Sequence, residues 1–563
     1  MPDPAHPPSR APVLRTLRTR FFPDAPAAAA PRDDPPSLAT AAAVVAAGFL
    51  GSRLLGLLRT VVIAHEYGTS STLDAYFVAF RLPDLIFQLL AGATLGSAFI
   101  PTFARVLADR GDREAWRLAS SVLNLVFVAT VVVAFIGLLL APLLVPLTAP
   151  GLGDDTGREQ ELQSLAVDLT RIMMLSPILF SVSGMLTGIL NARHHFLAPA
   201  LAPMFYNAAI IVGALVSDDV KVLAFAVVIG ALLHLLVQLP ALGLVGMRWQ
   251  AVSDWRDTAV REVGRLMGPR VLGLAAYQLN FVIATFFAST LATGAISAVN
   301  YAWLIVMTPL GLFGMAISTA VFPRMAEQAA RDDTELKETL SKSLRLILFL
   351  TVPASVALII LAKPLTAFLL RSGAFGTEST DLVVAAMVFY AVALFAHAGI
   401  EILSRGFYAL SDTRTPVAFA VMSMAVNLVL SVPLTWQFGV RGLAAALSVA
   451  TILEFAMLVR TLDRRLRGVD TARVMISVGR TLLATIVMAE MIALWLALLR
   501  LAGALDLDQK IDAGLAVAGG GALGIAAFAI ASRLLRSEEA AMLVERLPAP
   551  FRERLPVSAS GKP

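Results

Sequence analysis

Two arginines, Arg53 and Arg59, stand in the stretch GSRLLGLLRT, whose flanks, LATAAAVVAAGFL and VVIAHEYG, are apolar enough for lipid. A guanidinium keeps its charge at any physiological pH and presents a planar fork of donors that matches phosphate two bonds at a time. If the helix starts near Leu38, Arg53 lies roughly 22 Å along it, near mid-bilayer, and Arg59 about 9 Å further. Six residues turn the pair about 120° apart, so they can line two sides of one cavity. Snorkelling to the headgroups serves an arginine near a helix end better than one at mid-depth. A phosphate or diphosphate is the ligand such a pair suits.

The next apolar segment, LDAYFVAFRLPDLIFQLL, carries Asp74, Arg81, Asp84 and Gln88. Arg81 and Asp84, three apart, share a helix face and can pair, or Arg81 can join the first two arginines. Asp74 lies near a helix start, where a carboxylate complements the dipole or joins the same site. Pro83 predicts a kink. The second half offers less. His397, Glu401 and Arg405 fall on one helical stripe, and Glu401–Arg405 reads as an ion pair holding a helix end. Asp412 and Arg414 read as shaping a turn. Gln278 and Asn280 have no carboxylate near them, which leaves Asn427 and Ser431 as thin candidates for ion coupling. Glu454 and Glu490 are isolated, and His234 with Gln238 reads as a packing pair. With no cysteine in the chain, thiolate metal sites and cysteine nucleophiles are excluded. Nucleotide, metalloprotease and hydrolase motifs are not found, so no cofactor is expected, and an ion gradient or the membrane potential must drive any transport.

The elements that position these residues follow from composition. The 563 residues are 58% hydrophobic and 15% charged, with mean hydropathy +0.77, outside the range of soluble domains. Apolar runs of bilayer length number about fourteen, and each must be helical to satisfy its own backbone. Arginine and lysine gather in alternate loops, RVLADRGDREAWR, RWQAVSDWRDTAVREVGR, RMAEQAARDDTELKETLSKSLR and RTLDRRLRG. That bias predicts those loops and both termini on the cytoplasmic side. The formal charge of +5 is thereby a topology signal, and nucleic acid is not expected as a partner. The Pro- and Ala-rich residues 1–37 read as a basic disordered tail without a cleavage site.

The chain also looks doubled. LTGILNARHHFLAP (186–199) and LSRGFYALSDTRTP (403–416) share a layout, a long helix, a short polar turn and a proline at the restart, 217 positions apart. The expected organisation is an all-α integral membrane protein with two pseudo-symmetric six-helix lobes, 38–246 and 247–463, around a central cavity. A final helix pair follows over 464–537, then a tail over 538–563.

SRLLGLLRTVVIAHEYG, LDAYFVAFRLPDLI, GSAFIPTF, GILNARHHFLAPALAPMFYNAAII, GLFGMAISTAVFPRMA and LSRGFYALSDTRTPV together resemble, in order, the MurJ (MviN) family of lipid II flippases, within the multidrug/oligosaccharidyl-lipid/polysaccharide (MOP) exporter superfamily. The resemblance covers roughly residues 38–540. It implies a non-enzymatic flippase in the bacterial inner membrane, moving undecaprenyl-diphosphate-linked peptidoglycan precursor (lipid II) outward by alternating access. It implies substrate-binding roles for Arg53, Arg59, Arg81 and Asp74, and a groove for the polyprenyl tail lined by the last two helices. Membrane lipids and other cell-wall synthesis proteins are the remaining expected partners. Thr60, Phe87, Gln88, Gly92, Trp303 and Leu304 stand where the family often has charge. Another polyprenyl-linked glycan, a cation-coupled drug exporter and, in a different class, a membrane glycosyltransferase or ligase are the alternatives.

Overall fold

A computed structural model describes residues 38–545 except 91, 92, 332, 467 and 469; Gly92, residues 1–37 and residues 546–563 therefore lie outside the described residues, whereas 538–545, expected as tail, form a helix whose Glu538 and Glu539 pair with Arg345. The described chain is helical throughout, with no strand. The first half comprises α1 (Leu38–Tyr67), α2 (Ser71–Leu90), α3 (Ala93–Arg110), α4 (Asp112–Thr148), α5 (Glu159–Met173), α6 (Leu175–Ala192), α7 (Leu197–Val216), α8 (Val220–Leu236) and α9 (Leu239–Leu244). The second comprises α10 (Thr258–Ser289), α11 (Ala295–Pro309), α12 (Ala316–Ala329), α13 (Asp333–Ile360), α14 (Ala362–Leu370), α15 (Thr377–Val392), α16 (Leu394–Ala409), α17 (Arg414–Phe438) and α18 (Val440–Arg465). The chain then forms α19 (Thr471–Leu501), α20 (Lys510–Leu534) and the short α21 (Glu538–Glu545).

Among the described residues, 11 helical segments are long and apolar enough to cross a membrane, and α15–α16, bent by 44°, makes a twelfth. Of the expected fourteen, the two that miss this criterion are α2–α3 and α10. Of these, α2 carries Asp74, Arg81 and Asp84, and its charges lower the apolar average. Pro83 lies inside α2 without ending it. Pro309, by contrast, precedes a π-helical segment, Leu310–Met315, between α11 and α12. Proline supplies no N–H to the helical ladder, and a widened turn is one way a helix absorbs that loss.

The two related segments fold alike, residue for residue. After α6, His194 takes φ +59°, and after α16, Ser411 takes φ +59°. The N–H of His195 returns to the carbonyl of Leu190 at 2.8 Å, and that of Asp412 to Phe407 at 2.9 Å. The inner bonds, His194 to Asn191 and Ser411 to Tyr408, measure 3.1 and 3.0 Å. Both are left-handed helix caps that satisfy the last free carbonyls, in one register 217 residues apart.

Three large cores set the shape. The main one joins both halves: Ile63, Leu73 and Tyr76 from α1 and α2 pack with Tyr301, Phe375, Tyr390 and Leu443. It lies toward the end of the bundle where the cation-poor turns gather. Toward the other, arginine-rich end the cores are separate. One contains Phe99, Phe103, Trp116 and Ile189, the other Leu340, Ile347, Phe407 and Leu458. Thus the lobes are fused at one end and hold separate cores at the other. The first turns of α10 (Ala259, Val260, Val263) belong to the first lobe's core and its last turns (Ala284, Ala288) to the shared one, so α10 crosses between them.

Candidate substrate-binding cleft

Small residues bring α1 against α7. A Cβ on Gly48 would lie 2.4 Å from that of Ala200, and one on Gly51 3.1 Å from Met204 Cε. That close seat leaves the other side of α1 to face the second lobe. Arg53 is exposed there and Arg59 half-buried. Arg53 lies over the Phe49 ring at 5.1 Å. Its Nη2 would be 3.5 Å from a Cβ on Gly311, in the π-helical segment of the opposite lobe. Arg59 is close enough for its charge to act on Asp84, Tyr76 and Tyr206. Among the described residues neither arginine has an ion-pair partner.

Arg81 does not turn to Asp84. Its Nε donates to Thr285 Oγ1 at 2.9 Å and its Nη2 to Asn300 Oδ1 at 2.7 Å, with Phe281 5.3 Å below the guanidinium. All three partners come from α10 and α11. Asp84 instead accepts from Gln278 at 3.5 Å and from Gln88. The polar face of α2 is therefore an inter-lobe seam.

Asp74 heads that seam at the cation-poor end, roughly 10 Å along α2 from Arg81. It is buried, and both carboxylate oxygens are engaged. Oδ2 accepts the N–H of Gly294 at 2.7 Å; Oδ1 accepts the N–H of Ser297 at 2.8 Å and its hydroxyl at 2.5 Å. Gly294, at φ +88°, begins α11, so Asp74 caps a helix of the other lobe. Around it Thr69 Oγ1 meets Ser379 Oγ at 2.8 Å, Ala374 N–H donates to His65 O at 2.8 Å, and Thr293 N–H to Asp155 at 2.6 Å. The structure thus sets Arg53 against the second lobe, Arg59 beside Asp84, Arg81 in the seam, and Asp74 in the clasp at its head.

The other singled-out residues sit deeper in the second lobe or at its arginine-rich end. Arg405 Nη1 donates to Glu401 Oε2 at 2.9 Å and to Ser318, and its Nη2 to Thr319 at 3.1 Å, tying α16 to α12. Asp412 accepts the N–H groups of Arg414 and Thr415, each at 3.0 Å, and a bond from Arg465, capping α17. Asn427 donates to Asn280 Oδ1 at 2.9 Å and accepts from Ser431 at 3.4 Å, a set of neutral dipoles. In the first lobe, His234 and Gln238 share Ser183, at 2.6 Å each.

Where the family resemblance expects charge, this chain is packed. Phe87 tilts against Phe180 at 4.8 Å, and Trp303 meets Phe281, Tyr390 and His397 edge-on at 5.4–5.5 Å. Thr60 bonds back to the carbonyl of Gly56 at 3.1 Å. Sequence reasoning missed Thr285, Gly294, Ser297 and Asn300, the partners across the seam. Their one signal is that each interrupts or borders an apolar run.

Two lobes of membrane-length helices, clasped at one end across the seam of α2, are the architecture of a multi-pass membrane transporter. Among solved structures the fold is similar to a lipid II flippase MurJ in an inward closed conformation (TM-score 0.71, 22% identity, 87% of this chain and 98% of that one). It is also similar to an inward-facing multidrug resistance MATE family transporter of the MOP superfamily (0.59, 17%, 75% and 96%). The family model for lipid II flippase MurJ matches residues 63–505. The lipid II flippase MurJ of Burkholderia cenocepacia is 32% identical over 435 residues, 75% of this chain and 84% of that protein. The probable lipid II flippase MurJ of Buchnera aphidicola (subspecies Acyrthosiphon pisum) is 30% identical over 420 residues, 74% and 81%. The chain belongs to the MurJ lipid II flippase family.

Proposed function

We propose that the protein moves lipid II from the inner to the outer leaflet of the bacterial cell membrane by alternating access, with Arg53, Arg59 and Arg81 receiving the diphosphate. The observation that carries this reading is the pair of guanidiniums without an ion-pair partner on α1. Charge burial in a membrane is costly unless the site is wet or a counter-ion arrives. Three arginines against the Asp84 carboxylate leave a surplus of two positive charges, matching the two negative charges of a diphosphate diester. The sugar and diphosphate enter between the lobes while the polyprenyl chain stays in lipid along α19 and α20. Asp74 acts as the clasp of the outer gate rather than as a ligand.

The arginine-rich loops and both termini face the cytoplasm, as the distribution of cations requires. An ion gradient or the membrane potential drives the cycle. One charge crossing 100 mV gains about 2.3 kcal/mol, and Asn427 and Ser431 bring no carboxylate for a cation. Phe87 and Trp303, apolar where the family often has charge, favour a second reading, a different polyprenyl-diphosphate glycan.

Complementation of a cell depleted of its own lipid II flippase tests the proposal. Wild type rescues growth, Arg53→Ala and Arg59→Ala abolish rescue at normal membrane levels, and Arg53→Lys impairs it by losing the bidentate fork. Rescue by Arg53→Ala sinks the diphosphate clamp; failure of well-expressed wild type sinks lipid II in favour of the second reading. For orientation, Thr156→Cys labels with an impermeant thiol reagent in intact cells and Ser411→Cys does not. Both positions are exposed.

A further inference from the structure

Along α17, four buried polar side chains recur at every fourth residue: Ser423, Asn427, Ser431 and Thr435. That spacing stacks them on one slowly winding face. Ser431, Asn427 and Asn280 are linked as described above, and Ser423 Oγ donates to the carbonyl of Ala450 at 3.0 Å. The Thr435 hydroxyl is buried with no partner among the described residues, an orphan that a polar row in lipid rarely tolerates. None of the four carries charge.

Glu454 stands beside Ser423, one turn beyond Ala450 on α18, within hydrogen-bonding reach of the Ser423 hydroxyl. It continues the row Leu447, Thr451, Leu458 and Leu462 by which α18 packs inward. From the ends of α18 it is roughly 21 Å (Val440) and 16 Å (Arg465), inside the hydrocarbon depth. Among the described residues no cation lies within ion-pair distance of it. The elements packed against α18 bring little charge. From α17 comes only Ser423. From α16 comes Tyr408, which also feels the Glu401–Arg405 pair. From α10, α11 and α15 no described charged group acts on Glu454. Glu454 is half-buried, and at this depth a carboxylate without a cation is costly unless water reaches it or it is neutralised; a proton is the one cation that needs no further ligands.

We propose that Glu454 is a proton-binding site of the second lobe, linked by the polar row of α17 to the rearrangement of the lobes. One proton joins one carboxylate oxygen and no other bond changes. Protonation removes a charge from the interface of α16, α17 and α18, which lets α17 move past α18 without dragging an ionised group through lipid. Only the effect on transport rests on the flippase reading; proton binding does not.

Two measurements on the full chain, reconstituted in vesicles, test this. Infrared pH-difference spectra of wild type contain a protonated-carboxyl band that Glu454→Gln removes and Glu454→Asp retains. Flipping of lipid II responds to a pH gradient, by up to about tenfold per pH unit for one coupled proton; Glu454→Gln abolishes that response and Glu454→Asp keeps it. A carboxyl spectrum unchanged by Glu454→Gln overturns the site. A gradient response that survives Glu454→Gln, or a rate that follows sodium and ignores pH, overturns the coupling. If wild type flips no lipid II, the infrared band still decides proton binding, and the loss falls on the substrate reading alone.

Discussion

Asp74 and Ser297, 223 residues apart in the chain, share two hydrogen bonds, one to the Ser297 backbone at 2.8 Å and one to its hydroxyl at 2.5 Å. With Gly294 as a third donor, one carboxylate of the first lobe caps a helix of the second. Removing it strands buried donors at a cost of about 1–3 kcal/mol. Thr69→Cys with Ser379→Cys, placed where the two hydroxyls now touch, should form a disulfide in the resting protein. Adding Asp74→Ala should lower its yield several-fold. Equal yield would mean that the clasp is held elsewhere.

The paired caps make a symmetric prediction. His194 and Ser411 occupy left-handed backbone that costs an ordinary L-residue about 1–2 kcal/mol. Glycine avoids that cost but adds freedom to the unfolded chain. Ser411→Gly and His194→Gly should each stabilise by about 0.5–1 kcal/mol, read as a higher melting temperature of the purified protein. Alanine at either position should not.

Asp412 sets a pH dependence. Partial burial pushes its carboxyl up, but the bonds from Thr415 and Arg465 outweigh this and hold it below the ordinary carboxylate range. A carboxyl depressed in the folded state stabilises fully above its unfolded pKa, about 3.9, and loses that contribution as the pH falls through the folded value. Asp412→Asn should therefore lower the melting temperature at neutral pH, and the gap to wild type should close only in strong acid. A gap that closes between pH 6 and 7, roughly the histidine range, would assign the effect to another group.

Arg405 binds Glu401, Ser318 and Thr319 at once and so fastens α16 to α12. Arg405→Ala should lower stability by about 1–3 kcal/mol and reduce the protein level in membranes. Arg53→Ala, which breaks no protein–protein bond between charged groups, should leave both unchanged. Normal levels of Arg405→Ala with lost function would move Arg405 from the scaffold to the substrate.

Much of the architecture is written locally. Apolar runs of bilayer length define the helices because lipid leaves the backbone no other partner, and the Leu186–Pro199 and Leu403–Pro416 segments announce the doubling that the matching caps at His194 and Ser411 display. The Glu401–Arg405 pair is legible for the same reason, since four residues along a helix is a fixed distance. Arg53 and Arg59 stand out because an unpaired charge in lipid demands an explanation wherever it is. What tertiary structure alone decides is which face meets which. Three-residue spacing offered Asp84 to Arg81, yet the fold gives Arg81 to Thr285 and Asn300. Asp74 could be read as a ligand or as the cap of its own helix until α11 arrived to take both oxygens. Helical periodicity reports neighbours within one helix. In a membrane, where both faces of a helix are apolar, it carries no record of which distant span lies opposite.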